Sequence, residues 1–198
     1  MISSCLECGL KYNCLCDQIP LIEINAHIAL LMHENEQGRE TNTGRWLLKS
    51  TRSASRHIWK RKQPCSKLAA LISDPSYQAF VLFPGQQSQL INKAIHNGCQ
   101  IKNTTLLFII LDGTWQEANK MLRKSPWLQN IPKVSLDAGI TSSYHLRRNQ
   151  KFGNLCTLEV GAEIIRCLGY AEPAAQLHQF LIHYSKAFFA DKSGHQLK

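Results

Sequence analysis

The chain has 198 residues and a formal net charge of +9, from 23 Lys and Arg against 14 Asp and Glu. With 44% hydrophobic and 19% charged residues it can bury a core, which excludes a wholly disordered chain. The longest uninterrupted apolar run, residues 106–111, is six residues, too short for a membrane span, and residues 1–10 have neither the basic start nor the apolar stretch of a secretory signal. The expectation is a soluble, cytoplasmic, basic protein away from membranes, with nucleic acid as the commonest intracellular polyanion to attract it.

Four of the eight cysteines, Cys5, Cys8, Cys14 and Cys16, open the chain with the spacing Cys-x2-Cys-x5-Cys-x-Cys. Tetrahedral zinc takes four such ligands, and two close pairs on tight turns supply them. A segment this short cannot bury a core, so the metal would supply its folding free energy. Residues 1–20 are therefore expected to be a four-cysteine zinc segment and 21–198 the main domain. The scattered Cys65, Cys99, Cys156 and Cys167 read as packing residues.

Residues 26–32 then form an apolar stretch of strand length ending in a polar loop, where His33 and Glu34 are candidate functional or loop-forming residues. From 39 to 62 there are eight Lys or Arg and one acid, Glu40. Arg45, Lys49, Arg52 and Arg56 recur at helical spacings, which predicts a basic stripe on one helix, N-capped by Thr43, with Leu47, Ala54 and Ile58 turned to the core. Such a stripe without interspersed acids points to phosphate contact.

Residues 79–83, stopping at Pro84-Gly85, and 106–111, stopping at Asp112-Gly113, read as buried strands of a largely parallel sheet; 133–136 is a weaker fourth. Helical patterns cover 89–97, 115–124, 158–168 and 174–190, and the alternation implies an α/β fold. Tyr144, followed by His145, Arg147, Arg148 and Lys151, could stack on a base or pack in the core. Lys120, Arg123 and Lys124 add charge on another helix.

The sharpest feature is Asp112-Gly113-Thr114-Trp115-Gln116-Glu117. An acid at the carboxyl end of a strand, followed by glycine and a helix, lies where α/β sheets place ligands. Thr114 and Glu117 form a capping box, which directs Asp112 into the crevice and leaves the helix-start amides for an anion. A plain turn, with Trp115 as a packing staple, is the alternative.

This DGTW motif with the following QEANKML resembles the signature of the DTW domain family. So do the cysteine cluster, TNTGR (41–45), LFPG (82–85) and YHLRR leading to CTLE (144–159), so the resemblance extends over most of the chain. Trp46 and Val160 are mild departures, standing where an aliphatic residue and Ala are expected. The resemblance implies a SPOUT-like α/β domain with a knotted C-terminal part. It also implies transfer of the 3-amino-3-carboxypropyl group of S-adenosylmethionine to N3 of a tRNA uridine, releasing methylthioadenosine.

On that reading Asp112 is the base that takes the N3 proton. Phe83, Pro84, Gly85, Leu111, Gly113, Thr114, Trp115, Leu155, Thr157 and Glu159 build the S-adenosylmethionine pocket, and Thr157 could cap the helix that follows it. Arg147 or Arg148 holds the cofactor carboxylate or an RNA phosphate. Arg45, Lys49, Arg52, Arg56 and Tyr144 meet tRNA, and zinc is structural. A monomer is favoured. Two rivals stand: a SPOUT-like RNA methyltransferase, which would release S-adenosylhomocysteine, and a non-catalytic zinc-containing RNA-binding protein.

Overall fold

Strands buried on both faces show no alternation of apolar and polar residues, and the two central strands have this character. All of β5 (Thr105–Asp112) except its first residue is buried, as is all of β1 (Ala26–Met32) except His27. The structure, a computed structural model, describes residues 3–137, 139–144, 146 and 155–197. Among these, β1 and β5 join β2 (Ala54–Ile58), β3 (Tyr77–Leu82), β4 (Gln89–Leu90) and β6 (Lys133–Ser135) in one six-stranded parallel sheet, ordered β2-β1-β5-β3-β6-β4.

Helices cover both faces. Ile28, Leu30, Phe108 and Ile110 pack beneath α1 (Gly44–Ser50), α3 (Ile91–Gly98), α6 (Thr157–Cys167) and α7 (Ala171–Lys192). Ala29, Leu31, Leu107 and Ile109 pack beneath α2 (Ser66–Ser73), α4 (Trp115–Arg123) and α5 (Pro126–Gln129). The crossover leaving β1 thus lies on one face and the crossover leaving β5 on the other. The connections leaving these neighbouring strands diverge beyond their carboxyl ends, the position at which open α/β sheets form a crevice. Gly161 of α6 lies directly against Leu47 of α1; a β-carbon there would come within 2.4 Å of a Leu47 methyl.

The four expected strands are present within a residue or two. The basic helix is not. It ends at Ser50, because Ile22 captures the backbone on both sides of Thr51: its N–H donates to the Ser50 carbonyl and its own carbonyl accepts from Arg52 N–H. The chain then enters β2, where Ala54 stands opposite Ile28. Sheet pairing thereby overrides a helical spacing of charges. Ala54 and Ile58 are strand residues, Arg52 sits in the connecting turn and Arg56 is exposed on the edge strand. The 89–97 pattern is likewise divided between β4 and α3, and α2 and α5 have no counterpart in the expected helices.

The N-terminal cysteine segment is docked on the main body. Cys8, Leu10 and Leu15 belong to the larger core cluster. Asp191 near the end of α7 accepts hydrogen bonds from the amides of Lys11, Tyr12 and Asn13, at 2.6–3.1 Å. The Asn13 side chain donates to the His195 carbonyl and accepts from Leu197 N–H. Among the described residues no helix is long and apolar enough to cross a membrane.

Candidate active site

The crevice at the ends of β1 and β5 holds a buried polar network. Asp112, the last residue of β5, is fully buried. Its Oδ2 accepts from Asn42 Nδ2 at 2.9 Å and its Oδ1 from Thr157 Oγ1 at 2.5 Å. The same Asn42 nitrogen donates its second hydrogen to Glu36 Oε2 at 2.9 Å, so one amide bridges two buried carboxylates. Asn42 Oδ1 accepts from Arg45 N–H, the capping interaction expected of Thr43. Thr43 instead accepts from Leu158 N–H, which ties the start of α1 to the start of α6. Gly44 is required by close approach: a β-carbon would lie 2.7 Å from Asp112 Oδ2.

The helix beyond Asp112 is fixed by the expected capping box. Glu117 N–H donates to Thr114 Oγ1 at 3.2 Å, and Thr114 N–H donates to Glu117 Oε2 at 2.8 Å. Glu117 Oε1 also accepts from Asn35 Nδ2 at 2.9 Å and from Arg39 at 3.3 Å, and Arg39 pairs with Glu36. Burial alone would raise the Glu117 carboxyl; the Thr114 amide, the Asn35 amide, the Thr114 hydroxyl and Arg39 outweigh it and hold the group down at about 2. A carboxylate so anchored is a weak base and serves to hold the turn.

Because that value lies below the ordinary 4.5, the stabilisation Glu117 supplies is present above about pH 4.5 and is lost as the pH falls toward 2. A Glu117→Gln variant is expected to show a flatter decline of melting temperature across that acid range than the parent, as read by circular dichroism.

The three loops expected to form one pocket meet here. Phe83, following β3, stacks on Trp115 with ring centroids 5.2 Å apart and planes 10° apart. Trp115 is 52% exposed, so it does not act as a buried staple. Leu111 and Thr157 are buried, Gly113, Thr114 and Leu155 half-buried, and Pro84 and Gly85 exposed. Thr157 is the first residue of α6 and donates to Asp112 instead of capping the helix. Glu159 is buried and fully engaged: it accepts from Cys156 N–H, Ser142 Oγ, and the N–H and Oγ of Ser143. It acts within the wall by fixing the 142–143 loop to α6.

Other expected residues fall elsewhere. Tyr144 is 2% exposed and donates to the Thr41 carbonyl, so burial removes the face a base would stack on. Arg45 lies over the rings of Trp46 and Tyr184, Lys49 pairs with Glu7, and Arg52 pairs with Glu23. His145, Arg147, Arg148 and Lys151 lie outside the described residues. Cys99 is exposed, whereas Cys156 is buried. Of the two loop candidates, Glu34 is exposed and His33 is buried, stacked on Trp59. His33 Nδ1 accepts from Asn35 N–H, and its Nε2 is buried with no hydrogen-bond partner among the described residues. No local sequence pattern singles out Glu36, Arg39 or Asn42; only the TNTGR motif, which contains Asn42, marks their neighbourhood.

The sulfur atoms of Cys5, Cys8, Cys14 and Cys16 all lie within 4.8 Å of one another, with Cys5–Cys16 at 3.7 Å and Cys8–Cys14 at 3.8 Å. A tetrahedral zinc centre with bonds of about 2.3 Å has sulfur–sulfur edges of about 3.8 Å. The amides of Cys8 and Glu7 lower the Cys5 thiol to about 6, whereas burial pushes Cys8 up and Cys16 up to about 12, so the thiols do not all favour the thiolate without a cation among them. The donor set and its spacing fit a metal ion.

The sequence model of the DTW domain matches residues 2–189. A Drosophila melanogaster protein named tRNA-uridine aminocarboxypropyltransferase 2 is 26% identical over 176 residues, covering 85% of this chain and 66% of that protein. An Arabidopsis thaliana protein named tRNA-uridine aminocarboxypropyltransferase A is 29% identical over 183 residues, covering 81% of this chain and 69% of that protein. A Mus musculus protein named tRNA-uridine aminocarboxypropyltransferase 2 is 24% identical over 174 residues, covering 82% of this chain and 56% of that protein. A match running through the cysteine segment, the Asp112 turn and the helices around it places this chain in the DTW domain family.

Proposed function

We propose that this protein transfers the 3-amino-3-carboxypropyl group of S-adenosylmethionine to N3 of a tRNA uridine and releases methylthioadenosine. The observation carrying this reading is the meeting of the family's Asp112 turn with Asn42 and Thr157 at the carboxyl ends of β1 and β5. The names of the relatives supply the reaction class. Beside the turn the Phe83–Trp115 stack presents an exposed aromatic surface, and His33 Nε2 has no hydrogen-bond partner among the described residues.

When bound, S-adenosylmethionine supplies a sulfonium that makes its Cγ open to nucleophilic attack. The residues that would hold it are Phe83, Pro84, Gly85, Leu111, Gly113, Thr114, Trp115, Leu155 and Thr157, with Glu159 bracing the wall. Selection of Cγ over the methyl group is a matter of orientation, which rigid loops joined by hydrogen bonds provide. Asp112 takes the N3 proton of uridine, with Asn42 and Thr157 fixing the plane of its carboxylate. Arg147 or Arg148 would hold the amino-acid carboxylate or an RNA phosphate. The same reading includes a SPOUT-like, knotted C-terminal part. It is carried by the family resemblance, with Thr157 of α6 set against Asp112.

The test is incubation of the purified protein with S-adenosylmethionine and unmodified tRNA, followed by mass spectrometry of the tRNA nucleosides and of the small by-product. Aminocarboxypropyluridine with methylthioadenosine is the expected pair. Methyluridine with S-adenosylhomocysteine would instead establish a methyltransferase, and no change in either pool would leave an RNA-binding protein.

Zn2+ held by Cys5, Cys8, Cys14 and Cys16 completes the reading, in a structural role. Treatment with a strong chelator is expected to lower the melting temperature by several degrees and to make the four thiols reactive to a thiol reagent. Restoration by added zinc checks the assignment.

A further inference from the structure

The stripe expected on one helix is divided, with Arg45 and Lys49 on α1, Arg52 in the turn and Arg56 on β2; Lys49 and Arg52 pair with acids and Arg45 lies over Trp46 and Tyr184. A different surface has the required chemistry. Beside α4 lies an open polar groove with a volume of ≈ 510 Å³. The aromatic pair does not line it but adjoins two of its residues: Gln87 lies four residues beyond Phe83, and Asn119 lies one helical turn beyond Trp115, to whose carbonyl its amide donates. Leu122 contributes an apolar surface, and Gln129 and Asn130 also line the groove. Arg123 and Lys133 supply two cations. No acidic side chain lines the groove among the described residues.

We propose that this groove binds a single-stranded segment of the RNA substrate, with a base stacked on the exposed face of Trp115. The inference rests on the tRNA reading and adds to it where the RNA lies. Single strands are held by aromatic platforms, by hydrogen bonds to exposed base edges and 2′-hydroxyls, and by cations on the phosphates. Trp115, backed by Phe83 and one helical turn before the groove residue Asn119, would supply the first of these. The amides of Gln87, Asn119, Gln129 and Asn130 serve the second, and Arg123 and Lys133 the third. From Trp115 to Arg123 the helix advances about 12 Å, so platform and cations are separated by a stretch suited to a few nucleotides. Trp115 follows Asp112 by three residues, so the start of α4 adjoins the turn that carries Asp112. The groove lies on the α4 face of the sheet, whereas Asp112 is bonded to residues of the α1 and α6 side. On the tRNA reading, the groove holds RNA flanking the target uridine, whose base has to reach Asp112 from the α4 side.

The test uses the full-length protein and fluorescence-anisotropy titrations of tRNA, a single-stranded oligouridylate and a double-stranded DNA over a range of salt. Arg123→Gln/Lys133→Gln is expected to weaken tRNA and oligouridylate binding at least tenfold. It should also reduce the slope of log affinity against log salt by about 1.4, two contacts at roughly 0.7 each for a single strand. Trp115→Ala should weaken oligouridylate binding roughly tenfold. Lys49→Gln/Arg52→Gln should change neither affinity nor slope. Arg123→Gln alone, at an exposed position, serves as the check where the double variant melts early.

Unchanged affinity and slope in the Arg123 variants, with tRNA still bound by the parent, would overturn the groove and leave the tRNA reading standing. A parent protein that binds no RNA at all would overturn both. Equal losses for duplex DNA and oligouridylate would mark an unspecific polyanion surface and overturn the single-strand assignment.

Discussion

An Asp112→Asn variant is expected to fold, to retain S-adenosylmethionine and to lose transfer by about 10²–10⁴-fold, the range carried by a positioned general base. The surroundings of the residue make this substitution clean. The introduced carboxamide can present its oxygen to the Asn42 amide and its nitrogen to the Thr157 hydroxyl, which is able to reverse its role and accept. The volume is unchanged, so the contact with Gly44 is not disturbed. What the amide cannot do is receive a proton. Single-turnover assays on tRNA, with cofactor binding measured by calorimetry, separate the two properties. Turnover near the parent rate would remove Asp112 from the chemistry and leave it as the residue that positions Thr157 and Asn42.

Asn42→Leu is the second large effect and acts on stability. Leucine keeps the branched shape of asparagine with bulkier methyl ends, and it brings no donor to Glu36 or to Asp112, both of which are buried. It also removes the acceptor for Arg45 N–H at the start of α1. Hydrogen bonds to charged groups are worth about 1.5–3 kcal/mol each, and two are lost from a dry site, so destabilisation of about 3–5 kcal/mol is expected. Chemical denaturation would show it as a lower midpoint with an unchanged slope. Asn42→Asp should be at least as damaging, since it places a third carboxylate among two that already share one amide.

The strands were legible because parallel strands covered on both sides are apolar without interruption, as residues 106–111 are. The capping box at Thr114 and Glu117 was legible because it depends on residues three apart. Partnerships between segments far apart in sequence were not. Asn42 meets Asp112 across 70 positions, and Thr157 meets it across 45, so neither contact leaves a local pattern. The basic helix failed for the same reason: the residue that ends it, Ile22, acts through the sheet edge, while the spacing of Arg45, Lys49, Arg52 and Arg56 satisfied a helix on its own terms. Tyr144 illustrates the limit for single residues, since an aromatic beside arginines reads the same whether it faces solvent or the Thr41 carbonyl.

The clasp between Asp191 and the 11–13 turn joins the two ends of the described chain. Chain ends ordinarily fray independently, each opening at little cost. Here release of either one breaks bonds that hold the other, including those of Asn13 to His195 and Leu197. The first and last turns therefore open together as a single cooperative unit, and a perturbation of the cysteine segment reaches the end of the longest helix without crossing the sheet.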